Sequence, residues 1–318
     1  MKWSLFALIT GFCIDLLIGD PHGLPHPVVG IGKLITLLER LFRCLLPKTK
    51  DGEIAAGACI WIFTVLVAAG VPMLLLLLCG HINVWLRFAV ESIMCWQILA
   101  TRSLRDESMK VYAALKEGDL VHSRQTVSMI VGRDVDRLDE SGVTRAAVET
   151  VAENTSDGVI APLIFLVIGG APLGFFYKAV NTMDSMLGYI DPPYTNIGRI
   201  PAKIDDFFNY IPARLSALLM LLAGGLLRLD VKNGWRIFKR DRYKHASPNS
   251  AQTESVCAGL LGLRLAGDAW YHGVLHKKEY IGDGQREITI DDIPLTCKLM
   301  TLTAVLALLI FGVIKALI

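Results

Sequence analysis

Uncharged and charged stretches alternate along the chain, and their lengths set the elements. Residues 3–14 carry no charge, 54–79 form 26 residues without one, and 158–177 form another twenty. Residues 84–101 are apolar apart from Arg87, Glu91 and Gln97, 215–227 are 13 uncharged residues, and 299–314 close the chain with a last apolar run. About twenty apolar residues cross a hydrocarbon core of ~30 Å at 1.5 Å per residue. The 54–79 run therefore predicts a membrane helix, and 215–227 is short for one. Arg87 and Glu91, four residues apart, can pair within their helix.

The polar stretches between these runs predict helices of another kind. Residues 29–46 read as an amphipathic surface helix with Lys33, Arg40 and Arg43 on its polar side. Residues 102–156 are soluble in character, with helix boundaries at Gly118-Asp119 and at Asp139-Glu140-Ser141-Gly142. The tract 228–245 is strongly basic, which places it on the cytoplasmic side. The first run is a short membrane helix rather than a signal peptide: Asp15 ends it and no A-x-A site follows. His22 and His26 flank prolines 21 and 25, a rigid turn rather than a metal pair.

Composition fixes the class. Of 318 residues, 53% are hydrophobic and only 19% are charged, against about 25% in soluble domains. Mean hydropathy is +0.47. The expected fold is all-α: a polytopic integral membrane protein with roughly four to six membrane helices or re-entrant segments, plus cytoplasmic helices. Residues 1–318 form one membrane domain in this reading, with 102–156 and 230–295 mainly cytoplasmic. A net charge of +2 points to no nucleic-acid partner. The seven cysteines are scattered with no CxxC or Cys/His cluster, so neither a disulfide framework nor a zinc site is expected. No P-loop, GxGxxG or Gly-x-Ser-x-Gly is present.

The chemistry gathers at Glu149 to Tyr189. Gly169-Gly170-Ala171-Pro172 interrupts the uncharged run, and broken backbone survives at membrane depth only where protein or water satisfies it. On a helix over 145–157, Arg145, Glu149, Glu153 and Asp157 share a face. Beyond the run, Lys178, Asn181, Asp184 and Ser185 share another, and further on Asp205 shares one with Asn209. This mix suits a Mg²⁺-phosphate site, since Mg²⁺ takes oxygen ligands and one or two carboxylates. A capped helix start with surface ion pairs fits the same residues equally well.

Several segments together resemble one family. They are GDPHGLPHPV at 19–28, VGRD at 131–134, ETVAENTSDGVIAPL at 149–163, GGAPLGFFYKAVNTMDSMLGY at 169–189, DDFFNYIPARL at 205–215 and RDRYKHASPNS at 240–250. The chain closely resembles the CobD/CbiB family of cobalamin-biosynthesis membrane proteins over nearly its whole length. The resemblance implies an adenosylcobinamide-phosphate synthase, which joins adenosylcobyric acid to aminopropanol or its O-phosphate through an amide. It implies ATP as cosubstrate, Mg²⁺ as cofactor and a corrinoid as substrate. It also implies a multi-pass protein of the bacterial inner membrane with a cytoplasmic site, in contact with lipid and with other late cobalamin-pathway membrane enzymes. A carboxylate needs activation before an amine can condense with it, so ATP would form an acyl phosphate and the amine would displace phosphate.

On that footing Glu149, Glu153, Asp157, Lys178 and Asp184 are the catalytic candidates. Glu153, Asp157, Asp184 and Asp205 are the metal candidates. Arg214, Arg240 and Arg242 would serve phosphate, and Asn154, Asn181 and Ser185 would orient groups. A corrinoid transporter, and a membrane sensor without ligase activity like the related AmpE group, are the competing readings. A complete crossing by 157–180 would put Lys178 to Asp206 outside, away from ATP, whereas a re-entrant 157–180 keeps these residues inside.

Overall fold

The computed structural model describes residues 2–317 apart from 22, 24, 190, 191 and 272; His22 therefore lies outside the described residues. Helices α1 (Lys2–Ile18), α2 (Pro27–Leu45), α3 (Lys50–Ile82) and α4 (Val84–Ile98) come first. Then follow α5 (Thr101–Lys116), α6 (Leu120–Ser128), α7 (Glu140–Asn154) and a π-helical turn, Thr155–Ile160. Next are α8 (Ala161–Leu187), α9 (Arg199–Leu226), α10 (Val231–Asp241), α11 (Ser250–Leu261) and, last in the chain, α12 (Asp292–Leu317). Between α11 and α12 lie four short strands: β1 (Leu265–Ala266), β2 (Ala269–Tyr271), β3 (Val274–His276) and β4 (Tyr280–Ile281). The all-α expectation holds, with these few strand residues as the exception. Side chains begin the helices where orphan N–H groups need acceptors: Thr49, Asn83, Asp119, Asp139 and Asp230 each accept one as N-cap. His26 does the same for α2 through Nδ1, with Pro27 at the first helical position.

The described residues pack as two compact units. The first holds residues 1–100, 161–209 and 311–318, and the second 101–160 and 210–310, so the polar 102–156 stretch lies wholly in the second.

In the first unit, α3 is 33 residues long and exposes Leu66, Val71, Leu74, Leu75 and Leu78, a surface suited to lipid. The apolar runs 54–79 and 84–101 are joined almost without a loop. Helix α3 runs on to Ile82, and Asn83 alone caps both its end and the start of α4. Arg87 and Glu91 do not pair. Glu91 is 3% exposed and points to the broken segment of α8, while Arg87 lies against Gly80.

Helix α8 is a hairpin. Gly169 (φ −132°, ψ 19°) and Gly170 (φ 65°, ψ −161°) leave helical geometry. Phe165 stacks on Tyr177 with ring centroids 4.8 Å apart. Twelve residues of straight helix would separate them by about 18 Å. Length and apolarity alone would count Glu140–Leu187 as one span of 48 residues, but the chain descends and returns. Gly170 sits at the tip in a left-handed conformation that disfavours a side chain. A Cβ there would lie 2.7 Å from Glu91 Oε1. Gly174 lets the two limbs and α4 close up, because its Cβ would come within 2.7 Å of Leu166 Cδ2 and 2.9 Å of Ile98 Cδ1. Lys315 Nζ donates to the Val167 carbonyl, so a backbone group left over by the break is satisfied by protein. Both limbs open at the end of this unit where α4 finishes. Asn196, hydrogen-bonded to Glu53 at 2.8 Å, places the following loop beside the N-terminal end of α3.

In the second unit, α11 is buried along its whole length, packed on α10 and α7. The β segment is two antiparallel pairs, β1 with β4 and β2 with β3. VGRD ties it down: Asp134 N donates to Trp270 O at 2.8 Å, and Gly273 N donates to Asp134 Oδ2 at 2.8 Å. Fully buried Asp241 is the clamp of the basic tract. It accepts two bonds from Arg240 at 2.7 Å each and one from Gly282 N at 2.8 Å, and pairs with Lys244 at 3.0 Å. Burial works against its charge, yet Arg240, the Gly282 N–H and Lys244 outweigh it and hold the carboxyl at about 2.

Two outcomes follow. In a cysteine-free background, an impermeant thiol reagent on one side of the membrane should label a cysteine at Asn83 but neither one at Lys48 nor one at Thr195. Labelling of Thr195 together with Asn83 would mean that α8 crosses. Asp241→Asn should destabilise by about 1–3 kcal/mol at neutral pH, since charged donors lose their partner. Asp241 titrates lower in the folded state than its unfolded ~3.9, so its contribution is complete above pH ~4 and is lost as pH falls towards 2. Thermal melts in detergent should show the wild-type advantage shrinking over that window; an advantage independent of pH contradicts it.

Candidate functional site

In the first unit the returning limb of α8 presents its polar residues in two groups. Lys178 faces Asp20 and Asp15, whose charges act on its amine. His26 stands with it. Burial holds this imidazole below its ordinary value, with Asp20 opposing and Lys178 adding to the effect, so the ring is the neutral acceptor that its capping bond requires. Its Nε2 is 3.7 Å from Asp20 Oδ1.

One turn on, Asp184 and Asn181 face Asp205 on α9. Tyr177 Oη donates to Asn209 Oδ1 at 2.7 Å, and Asn209 Nδ2 donates to Asp205 Oδ2 at 2.9 Å. Asp205 is 7% exposed and its other oxygen, Oδ1, is buried with no hydrogen-bond partner. A buried carboxylate oxygen without a hydrogen-bond partner, close to a second carboxylate, takes either a proton or a cation. Two carboxylates and neighbouring amide oxygens are the donor set a hard divalent ion takes while keeping room for phosphate. Ser185 turns its hydroxyl onto Asn181 O at 3.0 Å, on its own helix.

In the second unit the expected stripe on α7 divides. Glu149 is fully engaged: Arg133 donates to Oε2 at 2.7 Å and Ala266 N to Oε1 at 2.6 Å. It anchors VGRD and β1 to α7. Glu153 stays half-exposed, near His245 and Glu254. Asn154 donates to Thr150 O at 3.0 Å. Asp157 falls in the π turn, whose wider winding breaks the 3.6-residue period that would keep it on the stripe. Arg240 is held by Asp241 and by Asp283 at 2.6 Å, so its charge is already matched. Arg242 lies over Phe238 and Tyr243, with Nε buried and unbonded. Arg214 stacks on Tyr210 at 3.4 Å and donates to Asn249 Oδ1 at 3.3 Å.

Three residues here escape sequence reading: Glu254, His245 and Lys278. Glu254 is 5% exposed, with Oε2 unpartnered. Burial first, then Glu153 and Glu149, pushes its carboxyl well above the ordinary carboxylate range. Burial likewise holds His245 below its ordinary value, with Glu153 opposing. The available signal is the run Gln252-Thr253-Glu254-Ser255, polar residues in a helix with every face covered. Among the described residues no three His, Cys, Asp or Glu side chains converge as a metal site; a bound Mg²⁺ would complete its shell from ligand oxygens and water.

The family model described as CobD/Cbib protein matches residues 8–300. A "Cobalamin biosynthesis protein CobD" of Clostridium perfringens is 45% identical over 311 residues, covering 98% of each chain. A "Cobalamin biosynthesis protein CbiB" of Salmonella choleraesuis is 47% identical over 310 residues, covering 96% of each. No solved structure matches the chain. With a family model spanning nearly its whole length and relatives of this identity, the chain belongs to the CobD/CbiB family of cobalamin biosynthesis proteins.

Proposed function

We propose that the protein is an ATP-dependent ligase of the bacterial inner membrane that joins adenosylcobyric acid to aminopropanol or its O-phosphate. The observation that carries this reading is the Asp184–Asp205 pair. Its unfilled Asp205 Oδ1 is buried, and the Tyr177–Asn209 relay fixes the other oxygen. Such a pair could hold the metal ion that activation of a carboxylate by ATP needs.

In the reaction a corrinoid carboxylate oxygen attacks the γ-phosphorus and ADP leaves. The amine nitrogen then attacks the acyl carbon, phosphate leaves, and the ammonium proton passes to a base. Mg²⁺ held by Asp184 and Asp205 would supply positive charge against the nucleotide phosphates. Asn209 and Tyr177 keep the Asp205 carboxylate from swinging away, and Asn181 orients it. In the second unit Arg240 is matched by its two aspartates, whereas among the described residues no ion pair reaches Arg214 or Arg242. Lys178 lies on the same limb of α8, facing Asp15 and Asp20.

The buried Glu91 and half-buried Lys315 at the hairpin tip are features a corrinoid transporter would also show. Purified protein in nanodiscs separates the two. With Mg²⁺, ATP, adenosylcobyric acid and aminopropanol phosphate, amide should form, one ADP for each product. Asp184→Asn should lower turnover at least a hundredfold while insertion and melting temperature persist. Absence of ATP-dependent amide, with corrinoid uptake by vesicles instead, would establish the transporter.

A further inference from the structure

We propose that a cavity of the second unit, at the start of α7 and the loops that flank β1 and β4, binds a phosphate dianion, free or as a monoester, through Arg145 and Arg264. The site goes beyond the ligase reading, which uses neither arginine.

The cavity has a volume of about 570 Å³, and Ser141, Arg145, Arg264, Gln285, Arg286 and Glu287 contribute to its lining. Ser141 and Arg145 are four residues apart on α7, so they leave the same face of the helix. Ser141 lies in the first turn, where N–H groups lack helical partners and the dipole favours an anion. Arg264 stands just ahead of β1, and residues 284–287 follow β4. Gly284 is left-handed at φ 65°, and a Cβ there would lie 3.1 Å from Arg264 Cβ, so the glycine lets its loop close on the arginine. Arg286 N donates to Gly262 O at 3.3 Å and ties the same loop to the end of α11.

Three guanidiniums line the cavity against one carboxylate, exposed Glu287. Arg286 is already matched by Asp292, with Nη1 2.9 Å from Oδ2. The N-cap carboxylate of Asp139 is taken by its own helix, from Gly142 N at 2.7 Å and Ser141 Oγ at 3.0 Å. Among the described residues no ion pair reaches Arg145 or Arg264. Arg264 lies over the Tyr280 ring at 4.5 Å, a contact that uses the face of the guanidinium and leaves its N–H edge for an acceptor. Arg145 Nε is shut off from solvent without an acceptor. A buried donor in that state is rare in a folded protein and is met by a ligand that brings oxygens. The number of oxygens decides the class. One arginine fork engages both oxygens of a carboxylate, whereas two forks from separate elements need the three or four oxygens that a phosphate carries.

Calorimetric binding to the full chain in nanodiscs of neutral lipid tests this. EDTA is present, so that the carboxylate pair of the first unit holds no metal. The probes are inorganic phosphate, methyl phosphate and acetate, at mildly alkaline pH where both phosphates are dianions. The wild type should bind at least one of the phosphates about tenfold more tightly than acetate, or more. Methyl phosphate binding as tightly as inorganic phosphate assigns the site to phosphomonoesters; inorganic phosphate binding alone assigns it to the free ion. Arg145→Gln and Arg264→Gln should each weaken binding about fivefold or more, whereas Lys232→Gln, an exposed cation outside this lining, should leave it unchanged. Should Arg145→Gln fail to fold, exposed Arg264→Gln carries the test. No binding of either phosphate, acetate binding as tightly, or full affinity in either folded arginine variant overturns the proposal. So does an equal loss in Lys232→Gln, which would mark general surface charge.

Discussion

Unpaired backbone polar groups cannot be left in an apolar environment, and the first unit is built around one place where they occur. At Gly169-Gly170 the α8 helix ends and restarts. Lys315 donates to the Val167 carbonyl, and Glu91 and Ser4 stand at the tip. With that break satisfied, the second limb runs back against the first, stitched by Phe165, Phe176 and Tyr177. The return brings Asn181 and Asp184 to Asp205 and lets Tyr177 reach Asn209. A straight helix would carry Tyr177 about 18 Å from Phe165 and dissolve this geometry.

The second unit follows the same rule with different means. Its centre is α11, a helix covered on every side yet polar through Ser250–Ser255. Some of that polarity is answered internally: Gln252 Nε2 donates to Arg242 O and Pro248 O. Glu254 Oε2 and Thr253 Oγ1 are not answered. Burying such groups costs about 1–3 kcal/mol each while they stay without a partner.

Much of the fold was legible because apolar run length is a strong signal. The 54–79 run became α3, 299–314 became α12, and Gly118-Asp119 and Asp139 marked helix starts where expected. The Gly-Gly-Ala-Pro break was legible as a break, since glycine and proline act locally. Less visible was anything set by distant contact. Arg87 and Glu91 look like an i, i+4 pair, but burial of Glu91 at the hairpin tip decides its neighbours. The 215–227 run looks too short to span because the preceding polar turns of α9 belong to the same helix. In the candidate sites, Asp184 and Asp205 could be named but not paired, and Arg240 could not be seen as spent on Asp241 and Asp283. The polar run around Glu254 could not be weighed from sequence, because a single carboxylate in a mixed run reads as a solvated face until the helix is seen to be covered.

The most direct test of the chemistry follows the oxygen atoms. Adenosylcobyric acid labelled with ¹⁸O in the reacting carboxyl group is incubated with the protein, Mg²⁺, ATP and aminopropanol phosphate, and the phosphate released is analysed by mass. Activation through an acyl phosphate places one ¹⁸O in inorganic phosphate for each amide formed. Amide formation with unlabelled phosphate, or with the label in AMP, would contradict phosphoryl activation.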